Sequence, residues 1–338
     1  IGVGTQIDIT PVCNTSCSRC TGTSCSFPYG IHKFTMQGIV KLSGAGSCCS
    51  INVSWEQTGR IPSITTGAAN QTLYCNAKLN RCQNPCDNSP SFNNTPIAIL
   101  CVGQDFTFNH GVQDMDVKNT GGLSDSLTYE WAAPLSAANT PVSYLTPYAY
   151  NKPICFYGFP NDALPWPRGI HLDPQSGDIQ FQPMKAEVTV MVVTVNEFRN
   201  GVKIAEQRRE MQIIVIACLN NNPPSISTPN NVRKKDVCAG EQVVFDFTTG
   251  DPNPPDTVTI SWNNSIPGAS WTTTNGLAKY PTGKLTWTPT DADVSSLPYT
   301  YTVTAKDNAC PVWASFTQMY QIIVMPKPQA IIRANDSG

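Results

Sequence analysis

Charge is scarce in this chain. Asp, Glu, Lys and Arg make up 14% of its 338 residues, against about 25% in average soluble proteins. That deficit argues against long amphipathic helices with charged outer faces, and no 12-residue segment shows a helical period. The net charge of −2 gives nucleic acid no electrostatic reason to bind. Histidine is equally thin: His32, His110 and His171 fall in separate stretches and assemble no acid–base or metal centre by spacing. No apolar run approaches the roughly 18 residues of a membrane span. G-x-S-x-G, H-E-x-x-H and Gly-rich phosphate loops are missing. Asp291 and Asp293 lie in the polar turn "TPTDADVSS", with nothing to separate their pKa values. The expectation is a chain without catalytic activity. It starts without an initiator Met or a signal peptide, so it is expected to be a mature or excised chain.

Thr, Asn, Pro and Gly fill the gap left by charge. Strand-like runs recur, among them "FTMQGIVKL", "SINVSWEQ", "EVTVMVVTVNEF", "QVVFDF", "TVTISW" and "YTYTVTAK". They are rich in β-branched and aromatic residues and bounded by turn formers. The chain also holds 14 cysteines, nine of them before residue 87. An even count with sparse Lys and Glu points to disulfides in an oxidising, extracellular setting. Cys17-x-x-Cys20 raises zinc as the alternative, but no second pair of matching spacing supports it.

The chain repeats itself. "CVGQDFTFNHGVQDMD" from Cys101 lies without a gap on "CAGEQVVFDFTTGDPN" from Cys238. After a six-residue difference in the loop, "DSLTYEW" (125–131) lies on "DTVTISW" (256–262). Further on, "SGDIQFQP" lies on "TGKLTWTP" and "REMQIIV" on "QMYQIIV". Each copy has the size and turn rhythm of an immunoglobulin-like sandwich. The expected architecture is all-β: residues 1–88 a cysteine-rich β domain, 89–220 and 221–327 tandem Ig-like or PKD-like sandwiches, and 328–338 a tail or linker. "LNNNPPSISTP" (219–229) reads as a short, stiff connection.

The run "PIAILCVGQDFTFNHGVQDMD", "DSLTYEWAAPL", "LDPQSGDIQFQP" and "VNEFRNGVKIAEQRREMQIIVIAC" followed by "NNPP" resembles the repeated segments of large Bacteroidota surface proteins. These are the gliding-motility-associated or PKD-like proteins exported by the type IX secretion system. "SCCSINVSWEQTGRIPSITTG" and "LYCNAKLN" resemble the domain that precedes those repeats. The first 30 residues, with four cysteines, depart from the pattern. The resemblance implies a non-enzymatic, extracellular building block of a bacterial surface adhesin or filament, partnered by neighbouring subunits or domains of that assembly. A sorting domain of that family is not visible, so a fragment or a subunit retained in another way is expected.

Three groups of residues stand out. Asp114, Asp116 and Asp125 in the first repeat, and Asp251, Asn253 and Asp256 in the second, gather oxygens near strand ends. An EF-hand is excluded, because Lys118 and Asn119 stand at the fifth and sixth loop positions. Two readings remain, a calcium site and turns capped by Asp and Asn side chains. Three visible oxygens per repeat fall short of the six to eight that calcium takes, so the turn reading, with no cofactor and little response to chelation, is preferred. Aromatics crowd "SYLTPYAYNKPICFYGFPNDALPWP" (143–167): Tyr144, Tyr148, Tyr150, Phe156, Tyr157, Phe159 and Trp166. They offer a partner surface or stack on glycans, as in a sugar-binding accessory module of a secreted enzyme. Alternatively the loop folds over the sandwich edge and buries its own rings, stapled by Cys155. Finally, Cys238 and Cys310, alone after the linker and near strand ends, are expected to pair. Cys101 is expected to pair with Cys218, with Cys86 as the alternative.

Overall fold

The computed structural model describes residues 6–328, apart from 14, 23, 26, 35–38, 40–47, 83–85, 97–98, 120 and 219–220. Most of the expected strand "FTMQGIVKL" and residues 329–338 of the tail lie outside the described residues. Among the described residues the regular structure is β, apart from two 3-10 turns, Pro229–Asn231 and Asp291–Asp293.

The second sandwich follows from period-2 alternation. Along Val243–Gly250, Val243, Phe245 and Phe247 are buried while Asp246 and Thr248 are exposed, so one pleat face meets the core. One sheet orders Ser225–Ser227, Val243–Gly250, Thr282–Trp287 and Ser270–Thr273. The other orders Lys234–Cys238, Ser315–Met325, Tyr299–Lys306 and Thr259–Trp262. The first segment divides between the sheets: 225–227 pairs antiparallel with 243–250, while 234–238 runs parallel to 321–325. Four strands facing four in this order form an immunoglobulin-like sandwich. Phe245, Ile260, Leu285, Tyr301 and Tyr320 fill it.

The first sandwich repeats that plan. Phe106–Asn109, Asp178–Phe181 and Ile170–Leu172 form one sheet, and Asp125–Trp131, Glu187–Arg199 and Val202–Ile216 lie in the other. Ile99–Cys101 runs parallel to 214–216, as 234–238 does in the second sandwich. The apolar run "VTVMVVTV" is continuous because Glu187–Arg199 is covered on both faces. Met191, Val193 and Val195 point into the main core. Val188 and Val190 join a smaller core with Phe27, Ile64, Ile99, Ile214 and Val312.

The N-terminal region is not a separate β domain over its whole expected length. Ser50–Gln57 pairs with Leu73–Asn80, which pairs through 77–79 with 205–207 of the first sandwich. The cause is the length of Val202–Ile216. Its far end binds Ile99–Cys101, which leaves the same edge open at 205–207 for an incoming strand. An open edge is satisfied by pairing.

Four disulfides form: Cys13–Cys310, Cys17–Cys25, Cys49–Cys82 and Cys101–Cys218. Cys17 therefore pairs outside the C-x-x-C, and Cys20 is a free thiol. Cys101–Cys218 is the pairing preferred from the sequence. Cys101 lies opposite Ile216 in the parallel ladder, so Cys218 follows just beyond.

The expected Cys238–Cys310 bond is corrected: Cys310 pairs with Cys13, and Cys238 is free. Cys238 sits opposite Met325, at one end of an 11-residue strand, and Cys310 precedes Ser315 at the other end. At about 3.3 Å per residue they are on the order of 30 Å apart. The register also puts Lys327 where the first sandwich has Cys218. Residues 11–13 run beside 311–313, with Cys13 N–H donating to the Pro311 carbonyl (3.0 Å) and Trp313 N–H to the Pro11 carbonyl (3.2 Å). Peptide mapping of the oxidised chain is expected to recover a Cys13–Cys310 cross-linked peptide and an alkylatable Cys238. A Cys238–Cys310 peptide would contradict this topology.

Candidate functional site

The acidic residues singled out in the sequence converge at corresponding ends of the two sandwiches. In the first, Asp114 follows the Val112–Gln113 strand and its Oδ1 accepts the Asp116 N–H at 2.9 Å. In the second, Asp251 Oδ1 accepts the Asn253 N–H at 2.7 Å. This much is turn chemistry.

The strand register then adds residues that the sequence pattern did not show. Asp125 opens its strand opposite Arg199, whose guanidinium donates to Asp125 Oδ1 (2.5 Å) and Oδ2 and to Asp116 Oδ2 (2.6 Å). It also lies 3.4 Å from Asp87 Oδ1. Glu197 sits two residues before Arg199, on the same face of the strand, and is 0% exposed. The segment leading into the first sandwich, a second linker at 87–88, closes the cluster: Asn88 Nδ2 donates to Asp116 Oδ1 at 2.6 Å. Five carboxyl groups therefore gather beside one guanidinium, which engages Asp87, Asp116 and Asp125.

Their electrostatics are correspondingly uneven. Burial, reinforced by the facing Asp114 carboxyl, pushes Glu197 up to about 10. Burial pushes Asp114 up to about 6. Asp87 is raised by burial and by Asp116 beside it. Asp116 is also desolvated, yet hydrogen bonds from Asn88 and Arg199 hold it low. Arg199 is raised above its ordinary value, chiefly by its hydrogen bond to Asp125.

Thr128 and Thr259 occupy equivalent positions in the repeat, and they face Asn196 and Lys306. Glu197 therefore corresponds to Asp307, and the linker pair Asp87-Asn88 to Asn221-Asn222. In the second sandwich Asp251, Asp256 and Asp307 converge, but donors saturate Asp307. Its Oδ1 accepts from Ala309 N–H (3.0 Å) and Ala314 N–H (2.9 Å), and its Oδ2 from Asn221 Nδ2 (3.1 Å). Asn253 Oδ1 accepts the Asn222 N–H at 2.7 Å. The linker read as a stiff spacer is docked at both of these asparagines.

The loop between Asp116 and Asp125 reaches the other sandwich. Val117 and Leu123 bridge to form a short hairpin, whose Gly122 N–H donates to the Ala292 carbonyl at 2.5 Å. Gly121 and Gly122 have φ of 85° and 71°, and a Cβ on either would collide with backbone carbonyls of Ala292 or Val294. Leu123 packs in the core of the second sandwich, and its N–H donates to Ser295 Oγ at 3.2 Å. Beneath the hairpin lies a cleft of about 450 Å³ whose walls include Asp114, Asp125, Ser265 and Tyr299. The six-residue excess that separates the two repeats in sequence is this docking element.

The aromatic insertion divides. Phe156 is fully buried and packs on Phe159, which packs on Tyr148. Tyr148 donates to Glu187 Oε2 (2.6 Å), and Tyr144 to the Val190 carbonyl (2.8 Å). These four rings build the loop onto the sandwich. Tyr150, Tyr157 and Trp166 are exposed at 47%, 42% and 42%. Cys155 is a free thiol, so the expected staple at that position is corrected. The loop is held instead by Glu187, whose Oε1 accepts the Cys155 N–H at 2.5 Å. His110, the histidine expected to be structural, is fully buried beside Arg209.

No protein-family model and no curated protein matches the sequence. Structural neighbours include the tandem Ig repeats of Dlar, at 10% identity and TM-score 0.25, covering 71% of this chain and 100% of that one. Fibronectin(III)-like modules of Clostridium thermocellum CbhA align at 10% identity and TM-score 0.18, covering 72% and 100%. Extracellular domains 3–5 of Drosophila OTK align at 10% and 0.19, covering 71% and 67%. Scores this low carry no argument beyond the topology already described.

Asp307 makes the second sandwich sensitive to pH. Burial raises its carboxyl to about 6, above the roughly 3.9 of an unfolded Asp. The folded state then binds the proton more tightly, so the contribution of this group to stability is full below about pH 4 and is lost as pH rises through about 6. The contribution is about 2–3 kcal/mol. Urea denaturation of Asp307→Asn is expected to lose that slope; an unchanged slope between pH 4 and 6 would remove Asp307 as its source.

Proposed function

We propose that the chain is a non-enzymatic structural or adhesive building block of a bacterial cell-surface assembly, of the gliding-motility-associated kind that its central segment resembles. The chain is all-β, and its four disulfides mark it as secreted or extracellular. No helix among the described residues is long and apolar enough to cross a membrane. The observation that carries the reading is the Cys13–Cys310 bond, which closes a loop of 297 residues. Tension applied at the two ends passes from Cys13 through sulfur to Cys310, and the first sandwich lies wholly inside the closed loop. Such closure suits a component whose first sandwich is shielded from force, with Ser315–Met325 of the second left in the load path. The docked hairpin and docked linker also suit it, because they hold the sandwiches against each other.

A second reading rests on Tyr150, Tyr157 and Trp166, exposed on one insertion: a surface that stacks on glycans. Saccharide binding on a glycan array, lost in Trp166→Ala, would favour that sugar-binding accessory role in a secreted enzyme over the structural one. Protease shaving of intact native cells is expected to release peptides of this chain, and recovery only after lysis would contradict a surface location.

Single-molecule stretching tests the closure. Held by its ends, the oxidised chain is expected to extend by about 100 nm less than the reduced chain, since 297 residues at roughly 3.5 Å each remain looped. Equal extensions with and without reductant would contradict force shielding.

A further inference from the structure

We propose that Asp87, Asp116, Asp125 and Glu197 bind one divalent cation, calcium by its coordination chemistry, at the root of the hairpin that docks the first sandwich onto the second. One oxygen from each of the four lies within 4.8 Å of all the others. Calcium takes oxygens at about 2.3–2.6 Å, so oxygens on opposite sides of one ion stand roughly 4.6–5.2 Å apart, the separation found in this group. Magnesium demands a tighter octahedron at about 2.0–2.1 Å, which this spread of oxygens fits less well. The four carboxylates supply one oxygen each, those of Asp116 and Asp125 shared with Arg199 and Asn88, and bidentate Glu197 with bound water would bring the shell to the six to eight that calcium takes.

Glu197 points to the ligand. It is 0% exposed, and neither of its carboxylate oxygens accepts from an amide, hydroxyl or guanidinium. The groups facing it are the carboxyls of Asp114 and Asp87. Carboxyl groups in that contact are held together by a shared proton or a shared cation. Asp114 Oδ2 is likewise buried without a hydrogen-bond partner. Arg199 engages Asp116 and Asp125 but is 25% exposed, at the rim of the cluster. With every carboxyl ionised, five charges against one guanidinium leave −4, and buried carboxylates at this density require a counter-charge.

The second sandwich serves as an internal control. Where the first has Asp87 the second has Asn221, and where the first has Asp116 it has Asn253. Asp307, at the position of Glu197, accepts three hydrogen bonds. Amide donors therefore satisfy the acid at this position in the second sandwich, whereas in the first Glu197 faces other acids. The preference for turn chemistry rested on three oxygens visible between 114 and 125. Asp87 and Glu197 come from outside that window and change the count.

The site joins two parts of the molecule. Asp116 and Asp125 bracket the hairpin whose Leu123 is buried in the second sandwich, and Asp87 lies in the linker that enters the first. An ion shared among them ties the linker, the hairpin base and the strand carrying Glu197 into one joint. This inference stands whether or not the chain is adhesive.

Isothermal titration of the full oxidised chain with calcium chloride, after EDTA treatment and dialysis, tests it. The chain is expected to bind one calcium with a Kd below 1 mM, more tightly than magnesium, and to melt at least about 5 °C higher in saturating calcium than in EDTA. Glu197→Gln and Asp87→Asn are each expected to weaken calcium at least tenfold, while Asp307→Asn leaves it unchanged. Absence of calcium binding and of any melting shift in the unsubstituted chain would overturn the proposal, independently of how either variant folds. So would calcium affinity unchanged in both Glu197→Gln and Asp87→Asn.

Discussion

Leu123 belongs to the first sandwich by sequence and to the second by packing. Its side chain lies in the second core, a burial worth about 2 kcal/mol, and the glycines before it allow backbone contact too close for any side chain. Polar contacts across the joint include Asn94 Nδ2 to Thr302 Oγ1 at 2.9 Å and Gln113 Nε2 to the Ser265 carbonyl at 3.1 Å, and Val312 adds an apolar one by packing with Val188 and Val190.

A hairpin anchored at its tip must also be anchored at its root, and the root is where charge concentrates. Asp116 and Asp125 lie only nine residues apart in sequence, and Arg199 bridges them from a neighbouring strand. Leaving any buried charge of this group without its partner costs several kcal/mol. The two sandwiches meet the same geometric demand with different chemistry. Amides and backbone N–H groups suffice in the second, where the loop is short and does not reach another domain. Acids and a guanidinium gather in the first, where the loop is long and reaches across.

Much of the fold was legible because the chain repeats. Phe108 and Phe245 align, and both are almost fully buried. The alignment of "DSLTYEW" with "DTVTISW" carries directly into strand register. Cys101–Cys218 was legible for the same reason, since local strand order sets it. Cys310 was not: its partner lies 297 residues away in a segment without strand periodicity, and only the three-dimensional return of residues 11–13 brings the two together. Glu197 was hidden inside "VTVNEF", where a charged residue near a strand end reads as solvent-facing. Its burial follows from its place on the same strand face as Val193 and Val195, which turns into the first sandwich, a tertiary fact. The pairing of 77–79 with 205–207 was not legible, because nothing local tells a strand what its edge partner will be.

The resulting picture is a disulfide-closed, hairpin-locked pair of sandwiches that moves as one body, with the N-terminal strands completing the first. Residual dipolar couplings of backbone amides in both sandwiches test this most directly, because each rigid body reports its own alignment. The account predicts that couplings from 99–218 and 225–325 fit a single alignment tensor on the structure described. Two tensors differing in magnitude or orientation would contradict a locked joint.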